Sequence, residues 1–237
     1  MTGIIGAMAP EVAELRSHMT NVSETQLGGM TFWAGQLAGK PVVLLQCGIG
    51  KVNAAVGCAL LLQTFHPQRI LNTGSAGGLK AEQVFGDMVV STEVLHHDVD
   101  VTAFGYAPGQ VPGQSARYAA DPTLVALATA CLDRLKLAGA LPAKLGHTLG
   151  VVGSGDIFVH QPEVLARLRA TFPDLCSVEM ESAAIAQTCA LFHTPFVIIR
   201  ALSDIAGQES PMKFDEFLPL AAHRSTLLVL ELLKNLP

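Results

Sequence analysis

Short apolar runs alternate along the chain with longer stretches in which apolar residues recur at helical spacing. Gly3-Ile4-Ile5-Gly6, Met30 to Ala34, Pro41 to Gln46, Arg69 to Thr73, Asp87 to Leu95, Leu149 to Val152 and Phe196 to Leu202 predict strands. Val52 to Phe65, residues 121–137, Pro162 to Thr171, Glu181 to Phe192 and an amphipathic stretch near Leu220 to Leu236 predict helices. A further helix opens at Pro10, in a first turn where the missing N–H costs nothing. The stretch from Glu181 to Phe192 is apolar all round, so it is expected to be buried on most sides. The strands are apolar at successive positions rather than alternate ones, the pattern of strands covered on both faces. Together these predict an α/β fold, a three-layer α/β/α sandwich around a central mixed, largely parallel sheet. No linker, repeat or low-complexity stretch divides residues 1–237, which read as a single domain.

Composition narrows the class. Half of the residues are hydrophobic and 15% are charged, enough for a large core. A net charge of −5 argues against nucleic acid as the main partner. Apolar runs such as Val42-Val43-Leu44-Leu45 fall far short of the roughly 20 residues that a spanning helix needs. The chain opens on a strand-like run, without a basic region and cleavage site, so no signal peptide is expected. Cys47, Cys58, Cys131, Cys176 and Cys189 are scattered and form no Cys-x-x-Cys pair. Buried thiols in a reduced, cytoplasmic protein are expected rather than a disulfide framework.

The chemistry gathers on acidic residues at the ends of apolar runs. Glu11 follows the first strand, Glu179 and Glu181 flank Met180 where a strand gives way to a helix, and Asp204 follows an apolar run and Ser203. A carboxylate at the end of a buried strand is costly unless it has a partner or a task. Each also has a plainer explanation. Asp204 could be an N-cap, and the glutamates could be anions settled at helix N-termini. Two Gly-rich segments end strands. Gly48-Ile49-Gly50-Lys51 opens a helix and could cradle an anion. Gly74-Ser75-Ala76-Gly77-Gly78 reads as a loop, either a tight turn or a close backbone approach to a ligand. His96-His97-Asp98 resembles a metal cluster on paper, but neighbours in a strand face opposite sides, so no metal site is expected. The segment from Asp98 to Tyr118 is long and carries Phe104 and Tyr106, which suits a functional or interface loop.

The order of these pieces resembles the bacterial 5′-methylthioadenosine/S-adenosylhomocysteine nucleosidases, a family of the purine nucleoside phosphorylase superfamily. The matching segments are Gly3-Ile4-Ile5-Gly6-Ala7-Met8, Gly48-Ile49-Gly50-Lys51-Val52, Asn72 to Gly78, Asp100 to Tyr106, Ser154-Gly155-Asp156, Val178-Glu179-Met180-Glu181, Arg200 to Asp204 and Phe214-Asp215-Glu216-Phe217. They span nearly the whole chain and are specific as a set. Ala9-Pro10 and Val159-His160 depart from the family's usual pattern.

What the resemblance implies can be stated by residue. Glu11 corresponds to a water-activating carboxylate, Asp204 to the acid that protonates N7 of adenine, and Glu181 to the residue that holds the ribose hydroxyls. Phe158 corresponds to a residue stacked on adenine, and the Val159 backbone to a reader of the purine edge. Met180 would lie under the ribose, while Met8, Ile49 and Phe214 would line the pocket for the 5′-substituent. Ser75, Ser203, Val178, Glu179 and Arg200 are further substrate contacts on this resemblance. Phe104 and Pro112 correspond to residues donated by the partner in a homodimer. The implied reaction is hydrolysis of the N-glycosidic bond of 5′-methylthioadenosine and S-adenosylhomocysteine, in methionine salvage and methyl-cycle by-product removal, with no cofactor or metal. The division of labour between two carboxylates is that of glycoside hydrolysis, applied to a nitrogen leaving group. An aminofutalosine nucleosidase, a phosphate-dependent nucleoside phosphorylase and a non-catalytic nucleoside-binding protein are the alternatives.

Overall fold

Neighbouring residues of the central strands face two different hydrophobic cores. Ile4, Val42, Leu44, Leu71, Val197 and Ile199 belong to one, and Ile5, Val43, Leu45, Ile70, Phe196 and Ile198 to the other. The computed structural model describes residues 1–206 and 210–237, the side chains of 210–215 excepted. In chain order its elements begin with β1 (Thr2–Gly6), α1 (Ala9–Ser17), β2 (Thr20–Leu27), β3 (Met30–Leu37), β4 (Lys40–Gln46) and α2 (Lys51–Phe65). The middle comprises β5 (Arg69–Gly78), β6 (Met88–His96), a short 3₁₀ turn at Thr102–Phe104, β7 (Tyr118–Ala119), α3 (Pro122–Leu137) and β8 (His147–Ser154). The last part comprises α4 (Pro162–Thr171), β9 (Leu175–Glu179), α5 (Ser182–Leu191), β10 (Phe196–Ile205) and α6 (Ser210–Asn235).

The first core is sealed by α1, α3 and α6 through residues such as Leu15, Leu132 and Leu228. The second is sealed by α2 and α5 through Cys58, Leu61, Ile185 and Cys189. The three expected layers follow, and they explain why these strands are apolar at every position. The sheet is mixed. β1 runs parallel to β4 and β5, β5 to β10, β6 to β8, and β8 to β9. The β2–β3–β4 meander and the β10–β6 and β5–β9 pairings are antiparallel. β5 pairs with β10 on one edge and with β1 and then β9 on the other, so β5, β10, β6, β8 and β9 close into a circuit.

Three local expectations need correction. Gly74 to Gly78 is not a loop but the second half of β5, in register with Arg200 to Ile205. β2 was not expected, because it is mostly polar and exposed. The last helix starts at Ser210 and runs through Pro219 rather than beginning near Leu220. Among the described residues no helix is long and apolar enough to cross a membrane.

Candidate active site

Glu11 sits in the first turn of α1 and turns back over the end of β1. Its Oε2 accepts the Ala7 and Met8 N–H groups, each at 3.0 Å. Its Oε1 accepts the Ser75 N–H at 2.9 Å and the Ser75 hydroxyl at 3.0 Å. The bond from Met8, the N-cap, is half of a capping box. Capping and cavity-lining are therefore one arrangement, not rival accounts.

Asp204 lies inside β10, 2% exposed, and α6 begins only at Ser210, so Asp204 does not cap that helix. The β10–β5 register slips between Leu202 and Asp204, leaving Ser203 as an extra residue. A bulge of this kind re-aims a side chain next to a site. The Ser203 hydroxyl donates to Asp204 Oδ1 at 3.0 Å. Across the pair, a Cβ on Gly77 would stand 3.1 Å from Asp204 Oδ2.

The third carboxylate group is a stack. Arg200, 2% exposed, donates through Nη2 to Asn72 Oδ1 at 2.5 Å, to Glu179 Oε2 at 2.7 Å and to Ser182 Oγ at 2.7 Å. Glu179 also accepts from Ser154 Oγ, from Glu181 N–H and from the backbone and hydroxyl of Ser182. Burial pushes the Glu179 carboxyl up, but the Arg200 guanidinium and these bonds outweigh it and hold it below its ordinary value. Glu181 stands above this pair, at the N-cap position of α5. Its side chain does not cap that helix but accepts the Gly50 N–H at 2.8 Å. Burial first, and then the charge of Glu179, push its carboxyl up to about 8, partly offset by that N–H. The N–H groups of the Gly48 to Lys51 turn are taken by the protein's own carboxyl groups: Gly50 N–H meets Glu181, and Lys51 N–H meets Asp156 Oδ1 at 2.8 Å.

These parts open onto one cavity of about 330 Å³, in the size range of small-molecule sites. Glu11, Glu181 and Asp204 line it together with Ser75, Ser203, Met8, Ile49, Phe158, Val159, Val178, Glu179 and Met180. Three expected residues do not line it. Arg200 does not line the cavity, because its guanidinium is committed to Asn72, Glu179 and Ser182 beneath it. Phe104 and Pro112 lie on the surface, Phe104 being 81% exposed. The side chain of Phe214 lies outside the described residues. Ala7, Ala76, Gly77 and Ile157 line the cavity without having been singled out. Their signal was adjacency, since each is next to or within a segment already marked. His96 and His97 are buried, and burial lowers both below the ordinary histidine value. Among the described residues, no three His, Cys, Asp or Glu side chains are grouped to hold a metal ion.

Comparison with known proteins shows the family. A family model described as the phosphorylase superfamily covers residues 2–234. The chain is 51% identical over 233 residues to the 5′-methylthioadenosine/S-adenosylhomocysteine nucleosidase of Marinomonas sp. (strain MWYL1), covering 98% of each chain. It is 54% identical over 230 residues to the nucleosidase of the same name from Geobacillus kaustophilus (strain HTA426), covering 97% of this chain and 95% of that one. Its fold superposes with a TM-score of 0.94, at 47% identity and 99% coverage of both chains, on the nucleosidase of Neisseria meningitidis in complex with methylthio-immucillin-A.

Proposed function

We propose that this chain, which belongs to the phosphorylase superfamily, hydrolyses the N-glycosidic bond of 5′-methylthioadenosine and S-adenosylhomocysteine. It releases adenine and the 5-substituted ribose. The observation that carries this reading is the meeting of Glu11, Glu181 and Asp204, from three distant segments, in one cavity. Among the described residues no Lys, Arg or His lines that cavity. A phosphate dianion placed beside Glu11 would therefore meet repulsion, whereas water would not.

Breaking the bond puts positive charge on the ribose and negative charge on the leaving base. Asp204 gives a proton to N7, so that adenine leaves neutral. Glu11 takes a proton from the water that attacks the anomeric carbon, and its carboxylate is already fixed by Ala7, Met8 and Ser75. Each proton transfer is typically worth roughly 10²–10⁴ in rate. Glu181, with its carboxyl at about 8, carries a proton near neutrality and offers the paired ribose hydroxyls a donor as well as an acceptor. Phe158 stacks on the base, the Val159 backbone meets its edge, and Met180 lies under the ribose. Met8 and Ile49 face the 5′-substituent.

The active unit in this reading is a homodimer, with Phe104 and Pro112 completing the neighbouring site. Ile49, Val52 and Val56 are 52%, 73% and 43% exposed, an apolar surface that leads from the cavity along α2. Such a surface is best explained by a partner, here a second copy. The five cysteines are buried free thiols, which suits a reducing compartment such as the cytoplasm. Incubation with 5′-methylthioadenosine, with and without phosphate, tests the reaction. Adenine and free 5-methylthioribose are expected at a rate independent of phosphate. A sugar 1-phosphate, or a rate proportional to phosphate, would overturn hydrolysis.

A further inference from the structure

Three segments that form or leave the rim of the cavity meet at a small ionic ring. The Lys51 ammonium stands 2.6 Å from Asp98 Oδ1. The other Asp98 oxygen, Oδ2, accepts the Asp156 N–H at 3.0 Å. Asp156 Oδ1 accepts the Lys51 N–H at 2.8 Å and closes the ring. None of the three residues lines the cavity, yet each is close in sequence to one that does or to the long loop. Lys51 follows Ile49, Asp156 precedes Phe158, and Asp98 opens the segment that carries Phe104.

The ring is built rather than incidental. The Lys51 and Asp98 side chains are only 19% and 15% exposed. Burial pushes the Asp98 carboxyl up, but Lys51 and the Asp156 N–H bring it below its ordinary value. A Cβ on Gly50 would come to 3.2 Å from Asp156 Oδ1, so the bare backbone there admits the carboxylate. Gly48 and Gly50, on either side of Ile49, both have positive φ, at +88° and +96°. Backbone of that kind is permissive. Ile49 is held on its own side of the cavity by Asn53, whose Nδ2 donates to its carbonyl at 2.8 Å, and by the Gly50 N–H bond to Glu181; Lys51 ties the end of the turn across to Asp156 and Asp98.

We propose that Lys51, Asp98 and Asp156 are positioning residues that clamp the Ile49 turn to the Phe158 loop and so set the distance between the two walls of the cavity. The proposal rests on the reading of the cavity given above. With both side chains less than a fifth exposed, breaking the pair also costs stability, so KM and not Tm alone separates the clamp from a structural role. Ile49 and Phe158 would touch substrate equally before and during reaction. Losing their placement removes uniform binding, which raises KM more than it lowers kcat.

The test is steady-state hydrolysis of 5′-methylthioadenosine by the wild type, Lys51→Met, Asp98→Asn, the double variant and Lys51→Arg, with the Tm of each. Asp98→Asn keeps an acceptor for the Asp156 N–H and replaces the oxygen that meets Lys51 with an NH2 donor, which breaks the pair. KM is expected to rise about tenfold in each single variant, with a smaller change in kcat. The double variant should be no worse than the worse single, because both break one pair. Lys51→Arg should keep most of the wild-type KM. A merely structural role would lower Tm and kcat through loss of folded enzyme and leave KM alone. An unchanged KM in both single variants, or effects that multiply in the double, would overturn the clamp. Amide hydrogen exchange reads it without activity: faster exchange in both 47–51 and 155–159 is expected in each single variant, and unchanged exchange there also overturns it. A wild type that releases no adenine would instead overturn the functional reading, and the exchange result would still decide the clamp.

Discussion

Gly74 lies directly against Glu11: a Cβ at position 74 would stand 2.8 Å from Glu11 Oε1 and 3.1 Å from its carboxyl carbon. Gly77 stands in the same relation to Asp204, at 3.1 Å from Oδ2. The glycines of the β5 segment are bare where two carboxylates come down onto the sheet. They serve close approach between strand and side chain, and neither needs a left-handed backbone.

Gly74→Ala is therefore expected to separate activity from stability. The added methyl meets the movable end of a side chain, so the fold gives way cheaply while the carboxylate shifts from its four donors. A displacement of about 1 Å at a reacting group costs on the order of 10² in rate. We expect kcat to fall by about that factor with Tm within a few degrees of the wild type. Gly77→Ala, with its wider spacing, should lose less. Equal activity of Gly74→Ala and wild type would show that Glu11 does not need its observed place.

Asp204→Asn removes the proton donor while keeping shape and the acceptor for the Ser203 hydroxyl. Turnover should fall by roughly 10²–10⁴, and nucleoside binding should persist. Calorimetric titration with a slow or non-cleaved adenine nucleoside, set beside the kcat, checks both halves. Near-normal turnover would remove Asp204 from the role of acid.

Arg200→Met probes the stack beneath the cavity. Arg200 and Glu179 are a buried pair at 2.7 Å, and Asn72 and Ser182 share the guanidinium. Removing one partner of such a pair leaves a buried charge and costs about 3–5 kcal/mol. Arg200→Met should thus lose much of its stability. Adding Glu179→Gln should recover part of it, because the orphaned charge is gone. Denaturant unfolding of the single and double variants measures this. No recovery in the double variant would mean that Arg200 matters chiefly through Asn72 and Ser182.

How much of this could be read in the chain depends on what each residue faces. Strands covered on both faces declare themselves, because every position is apolar, and β1, β4, β5 and β10 were visible for that reason. β2 was not, since a polar strand exposed on most positions has no such pattern. Gly74 to Gly78 looked like a loop because Gly and Ser are poor strand formers. Tertiary context reversed that, since β10 pairs along its length and the carboxylates need bare backbone. The acidic residues were found, but their directions were not. Glu181, as a catalytic residue, and Arg200, as a substrate contact, were both expected to reach the substrate. Whether a side chain reaches the cavity or the layer beneath it depends on the slip at Ser203 and on Asn72 across the sheet. The family resemblance could nominate those residues but not orient them.

Glu181 makes a prediction about pH that can be followed in the folded protein. Its carboxyl is pushed from its ordinary value of 4.5 up to about 8, by burial first and by Glu179 second, with Glu11 adding to the effect and Arg200 and the Gly50 N–H opposing it. The folded protein therefore binds a proton that the unfolded chain gives up. Such a group contributes stability that is fully present below the unfolded value and is lost as pH rises through the folded one. The loss falls between about pH 4.5 and 8, at a slope approaching roughly 1.4 kcal/mol per pH unit while the two states differ by a whole proton. His96 and His97 have lowered values and act with the opposite sign, losing their contribution as pH falls below the ordinary histidine range. The comparison must therefore be with Glu181→Gln, in which the histidines are unchanged and the Gln carbonyl can still accept the Gly50 N–H. The wild type should lose stability relative to Glu181→Gln steadily from pH 5 to pH 8. Denaturant unfolding at half-unit steps, in matched ionic strength, gives the difference directly. A gap between the two proteins that stays constant across that window would mean that Glu181 is ionised throughout, and the donor it is proposed to offer the ribose hydroxyls would be lost with it.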